Sequence, residues 1–107
     1  MTALQHAILK KQAMVRLSEN GVFCWNNACG RAVPLHSKRV VQFGVPGMPD
    51  IAGILPGGRF LAVEIKTGTA RLQKNQRAWK KRCDEVGGLY LTIRSVEQLD
   101  EELDREL

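Results

Sequence analysis

The chain has 107 residues, 44% of them hydrophobic, with 16 Lys+Arg against 11 Asp+Glu, enough for one domain over residues 1–107 and too little for a two-domain enzyme. This composition excludes intrinsic disorder, a membrane span and a closed disulfide set from the three cysteines, and no signal-peptide core opens the chain, so a soluble cytoplasmic protein is expected. Six acids and one base fall between Glu97 and Leu107, leaving −5 there and +10 on the first 96 residues, a body that attracts polyanions such as nucleic acid.

Residues 3–19 read as a helix with Leu4, Ala7, Ile8, Met14, Val15 and Leu17 on one broad face. Asn20-Gly21 ends it, because both residues accept the left-handed conformation of a helix end. Val22–Trp25 reads as a short strand, residues 26–39 as a loop rich in Asn, Gly, Pro and basic residues, and Val40–Val45 as an extended piece. Asp50–Leu55 and Arg59–Thr67 flank Pro56-Gly57-Gly58, a strong hairpin signal. Residues 70–86 turn helical, with Leu72, Trp79, Cys83 and Val86 recurring on one stripe until Gly87-Gly88. Leu89–Ile93 is a compact apolar strand, and Ser95-Val-Glu-Gln98 opens a last, acidic helix or tail over about 95–107. The expected class is α/β, a central mixed sheet flanked by helices.

The chemistry concentrates in Gly47-Met-Pro-Asp50 and Val63-Glu64-Ile65-Lys66. Side chains alternate along a strand, so Glu64 and Lys66 share a face with Phe60 and Ala62, opposite Val63 and Ile65. The tight turn brings Asp50 to the end of the hairpin that holds Glu64 and Lys66. Two converging carboxylates, with the Ile65 backbone carbonyl as a third oxygen, suit Mg²⁺ or Mn²⁺, and a neighbouring lysine can orient water and offset phosphate charge. The plainer alternative is an ion pair closing a hairpin.

This text resembles a known family. Gly47-Met-Pro-Asp50, thirteen residues and Glu64-Ile-Lys66 look like the PD-(D/E)xK nuclease signature, with its restriction-endonuclease-like core. The run from Gly44 through Gly68 to Arg71-Leu-Gln-Lys-Asn-Gln76 is similar to the virus-type replication-repair nuclease (VRR-NUC) branch. The resemblance implies a Mg²⁺- or Mn²⁺-dependent deoxyribonuclease, with Asp50 and Glu64 as ligands, Lys66 as catalytic lysine and Gln76 as supporting glutamine. It also implies a homodimer acting on branched DNA, four-way junctions in particular, and a bacterial or phage-encoded protein. Relatives often present an acid from the first helix; here Met1–Ser18 contains none, and Gln5 stands in the equivalent place.

Arg71, Lys74, Arg77, Lys80, Lys81 and Arg82 put six bases in twelve residues with no acid among them, a stripe suited to phosphates; Lys38, Arg39 and Arg31 are weaker candidates. Trp25 and Trp79 read as core, Cys83 as a buried thiol, and His6 as a helix residue without a partner. Cys24, Cys29 and His36 lack the spacing and the fourth ligand of a zinc site. Two rivals remain: a non-catalytic DNA-binding module, and a partner-binding protein whose basic helix docks an acidic surface. The acidic tail either shields the basic body or simply ends the last helix.

Overall fold

The structure, a computed structural model, describes residues 3–27, 30–32, 35, 36, 38–43 and 45–107. The first helix, α1 (Ala3–Glu19), buries Leu9, Ala13 and Leu17, a stripe of spacing four. This corrects the expected face: Leu4, Ile8 and Val15 are 68%, 47% and 60% exposed. So many apolar residues allow two stripes, and only packing against the sheet selects between them. Gly21, at φ +77°, and the Val22 N–H on the Leu17 carbonyl (3.0 Å) close the helix and turn the chain into β1 (Phe23–Asn26).

The expected long loop contains structure. Strands β2 (Gly30–Ala32) and β3 (Val41–Phe43) pair antiparallel as a separate two-stranded sheet. The main sheet adds β4 (Ile51–Ile54), β5 (Phe60–Ile65) and β6 (Leu89–Ile93), in the order β1-β4-β5-β6. Two pairings are antiparallel and β5–β6 is parallel, so the sheet is mixed. The hairpin turns where expected: Gly57 and Gly58 sit at φ +99° and +98°, and the Leu55 N–H reaches the Arg59 carbonyl at 2.8 Å.

A parallel pair needs a crossover, and α2 (Lys74–Glu85) supplies it. It starts four residues later than the stripe from Ala70 suggests. Gly68 takes φ +62°, and the Arg94 guanidinium donates to the Gly68 and Ala70 carbonyls at 3.0 and 2.6 Å, holding the segment as loop. Val86, counted on the inward stripe, is instead the C-cap and 67% exposed. The acidic end is an ordered helix, α3 (Val96–Glu106), with Leu99 and Leu103 buried and the Ser95 hydroxyl capping Gln98 N–H. Its acids meet bases of the body: Asp100 pairs with Arg16, and Glu106 with Arg59 at 3.0 Å.

Register fixes which side chains share a face. Asn26, Ile51, Val63 and Leu91 lie in one row on the side of α1 and α3, where the last three join the aliphatic core and Asn26 is exposed. Trp25, Ala52, Ala62 and Tyr90 lie in the next row, on the opposite face, where Ala62 and Tyr90 meet Cys83, Leu72 and Trp79. Glu64 belongs to this second face, beside Thr92 and across from the start of β4.

Candidate active site

Asp50 immediately precedes β4 and Glu64 is the fifth residue of β5, so the Ile51–Val63 pairing brings the two carboxylates to one end of the hairpin. Asp50 is held from several sides. Its Oδ2 accepts the Ile65 backbone N–H at 2.8 Å, and its carbonyl accepts the Asn27 N–H at 2.9 Å. The Asn27 amide also donates to the Pro49 carbonyl at 3.2 Å, pinning the residue before it. From α1, His6 Nε2 stands 3.4 Å from Asp50 Oδ2. The sequence pattern left His6 without a partner and put Gln5 in this position. Gln5 instead lines a separate hollow with Thr67 and Arg94.

Glu64 is 4% exposed, and its Oε2 is buried without a hydrogen-bond partner. Burial pushes its carboxyl up to about 9, helped by a hydrogen bond and like charge from Asp50 and opposed by the charge of Lys66. The carboxylate form therefore needs an added positive charge to persist at neutral pH. A buried oxygen without a partner, opposite a second carboxylate, is a donor set that a hard divalent cation fits. Among the described residues no group of three or more His, Cys, Asp or Glu side chains could hold a metal, so backbone oxygen, water or phosphate would complete such a shell.

Asp50, Glu64 and Gln76 line one cleft of about 370 Å³, with Lys10, Asn26, Asn27, Gly47, Met48, Gln73 and Asn75. Lys66 lies outside that lining, half-buried, near enough for its charge to act on Glu64. Gln76 Oε1 accepts the Gln73 N–H at 2.8 Å, completing a capping box at the start of α2. This bond satisfies the side-chain oxygen within the first turn of its own helix. The amide oxygen is identified by the donor it accepts from, and its N–H groups are the donors left for a ligand. Gly47, at φ +86°, lets the loop touch α2: a Cβ there would stand 2.6 Å from the Asn75 carbonyl oxygen.

The VRR-NUC domain family model matches residues 4–97. The chain belongs to this family. A solved structure titled "VRR_NUC domain" superposes with a TM-score of 0.69 at 21% identity, covering 92% of this chain and 94% of that one, which shows the shared fold. No curated protein matches the sequence. VRR-NUC is a nuclease domain family, so the chain is a nuclease-type, DNA-processing domain.

Around this VRR-NUC cleft the expected basic stripe is only partly free. Lys80 pairs with Asp84 at 3.0 Å and Arg82 with Glu85 at 3.1 Å, acids just beyond the acid-free window. Arg77 donates to the Leu72 carbonyl at 2.6 Å. Lys74 and Lys81 are exposed, as are Arg71, Lys38 and Arg39. The Arg31 side chain lies outside the described residues, as does Cys29 of the rejected zinc set. Cys83 is buried as expected, and burial raises its thiol pKa. Trp79 is half-buried against the second cluster, but Trp25 is 39% exposed, which corrects its assignment to the core. No helix among the described residues is long and apolar enough to cross a membrane.

Proposed function

We propose that this VRR-NUC domain hydrolyses DNA phosphodiester bonds with Mg²⁺ or Mn²⁺ held by Asp50, Glu64 and the Ile65 backbone carbonyl. The observation that supports it most directly is the buried, unpartnered Glu64 oxygen facing Asp50 in a cleft. When bound, the ion supplies Lewis acidity and charge neutralisation at the scissile phosphate.

The remaining work belongs to the chain. The Ile65 amide and Asn27 fix Asp50, so its carboxylate enters the reaction already oriented. Lys66 offsets negative charge developing on the phosphate and orients the attacking water. Gln76, its oxygen held by Gln73, directs its amide N–H groups at a water or a phosphate oxygen. Lys74 and Lys81, with Arg71, Arg77 and Lys80, attract the duplex from α2 and the segment before it.

The finer reading is branched DNA, four-way junctions in particular, cut by a homodimer of a bacterial or phage-encoded protein in the cytoplasm. So small a domain has little surface for choosing a substrate, and pairing doubles it. The test incubates the purified chain with Mg²⁺ or Mn²⁺ and labelled linear, nicked, flapped and four-way DNA, with Asp50→Asn alongside. Cleavage that needs the ion and vanishes in D50N while binding persists supports the nuclease. DNA that is bound but never cut makes the chain a binding module. A strictly monomeric protein without junction preference removes the four-way reading.

A further inference from the structure

Strand β1 is an edge strand, and its side facing away from the main core carries Phe23 and Trp25. These rings are 69% and 39% exposed, with centroids 5.6 Å apart and planes tilted by 59°. The crossover helix covers the other half of this face, where Trp79 and Cys83 pack on Ala62 and Tyr90. Across from Phe23, Ile54 is also 39% exposed. An apolar aromatic pair open to water beside a polar cleft is the kind of surface that meets a ligand.

Trp25 stands near the cleft, next to its lining residue Asn26. Asn26 and Asn27 line the cleft, and Asn27 is bonded to the backbone of Asp50. Trp25 stands two residues back along the same strand, about 7 Å from Asn27 at the usual rise. Alternation puts both rings on the sheet face of Asp50 and Glu64. Lys10, which lines the cleft and donates to Asn26 at 3.1 Å, adds a cation to the site from the α1 side of the sheet. Aromatic face and carboxylate cleft thus share one side of the sheet, as a base and the scissile phosphate of its strand would need.

We infer that Phe23 and Trp25 form a stacking platform for unpaired bases of the strand whose phosphate reaches the cleft, an inference that rests on the nuclease reading above. Aromatic rings bind bases without regard to sequence, since every base has a π-face. In a continuous duplex those faces are covered by neighbouring pairs, so the platform selects DNA with unstacked nucleotides at a flap or branch. A second copy of the chain is the rival occupant. Two rings and Ile54 on four-residue strands are small against the roughly 800 Å² per partner of a standard interface, and Lys10 in the neighbouring cleft favours a polyanion.

The test measures binding in EDTA, where the ion is withheld, to a labelled duplex and to the same duplex bearing a short unpaired flap. Trp25→Ala is expected to weaken flap binding roughly tenfold and to leave duplex binding nearly unchanged, while Trp25→Phe keeps most of the flap affinity. In a Trp79→Phe background, where Trp25 is the remaining one of two tryptophans, flapped DNA quenches emission and plain duplex does not. Wild-type flap affinity in both Trp25→Ala and Phe23→Ala, or equal loss on both DNAs, overturns the platform. So does a Trp25→Ala protein that sediments as a monomer where the parent is a dimer, which gives the rings to a second copy. A parent that binds neither DNA sinks the nuclease reading itself; a parent that binds and cuts, with normal variants, sinks only the platform.

Discussion

The two faces of the central sheet are built to different rules. Toward α1 and α3, fourteen buried residues among those described form one aliphatic core around Ile51, Leu61, Val63, Ile65 and Ile93. Toward α2, three buried residues, Ala62, Cys83 and Tyr90, make the second cluster, and the next row holds a buried carboxylate. Burying a lone carboxyl opposes folding unless it takes a proton or a cation, and the aliphatic face supplies the surplus that tolerates it. Neighbouring residues of one strand therefore divide the labour: Val63 and Ile65 stabilise, and Glu64 between them is the residue proposed to hold the ion.

Glu64→Gln breaks this division most sharply. It keeps the shape and removes the charge that would hold the ion, so cleavage is expected to fall roughly 10³-fold, the scale of several kcal/mol of metal-dependent stabilisation. The fold should be spared, because Glu64 already holds its proton near neutral pH. A variant that melts at or above the parent at pH 6–7 alongside lost cleavage would confirm the split; one that melts far below the parent would place Glu64 among the folding residues.

The opposite face should respond in the opposite sense. Leu61, fully buried on the same strand, truncated to Ala should cost about 2–5 kcal/mol, read from the urea midpoint. Cleavage per folded molecule should stay within a few-fold. If Leu61→Ala loses activity faster than stability, the two faces are coupled through the strand and the division fails.

A pH series sharpens the comparison more gently. Glu64 has a folded value of about 9 against an ordinary 4.5, so the folded state holds a proton that the unfolded chain releases. Its relative contribution to stability is therefore complete below about 4.5 and lost as pH rises toward 9. Without divalent ions the parent should lose ground to Glu64→Gln across that window. Adding Mn²⁺ should displace the proton, so its stabilising shift in Tm should be larger at pH 8.5 than at pH 6. An ion-induced shift independent of pH would mean that Glu64 is not where the ion binds.

Much of this division was legible in the sequence, because alternation and a tight turn are local rules. Pro56-Gly57-Gly58 set the register that brings Asp50 to Glu64, and the Ser95 cap marked the start of α3. What was not legible depends on partners distant in the chain. His6 meets Asp50 across 44 positions, and Asn27 meets Pro49 across 22, so no spacing rule exposes either. The buried stripe of α1 is not encoded by hydropathy alone, because Leu4, Ile8 and Val15 are as apolar as the residues the sheet selects. Trp25 looked like core because its exposure depends on how far α2 extends over the sheet, which β1 itself does not encode.

The smallest effects belong to the outer surface of α2, where two kinds of lysine stand one residue apart. Lys80 is engaged by Asp84 four residues on, and its ammonium lies 6.0 Å from the centre of the Tyr90 ring. Lys81, exposed, has no acid partner among the described residues. A free ammonium can replace condensed counterions on DNA at no cost in broken contacts, whereas a paired one must first leave its carboxylate. Lys81→Ala should therefore lower the slope of log affinity against log salt by about 1, and Lys80→Ala by less, with both melting within about 1 kcal/mol of the parent. Anisotropy titrations on one duplex at several salt concentrations measure this directly. Equal slopes for the two variants and the parent would take α2 out of the DNA interface and leave the cleft and β1 as the contact surface.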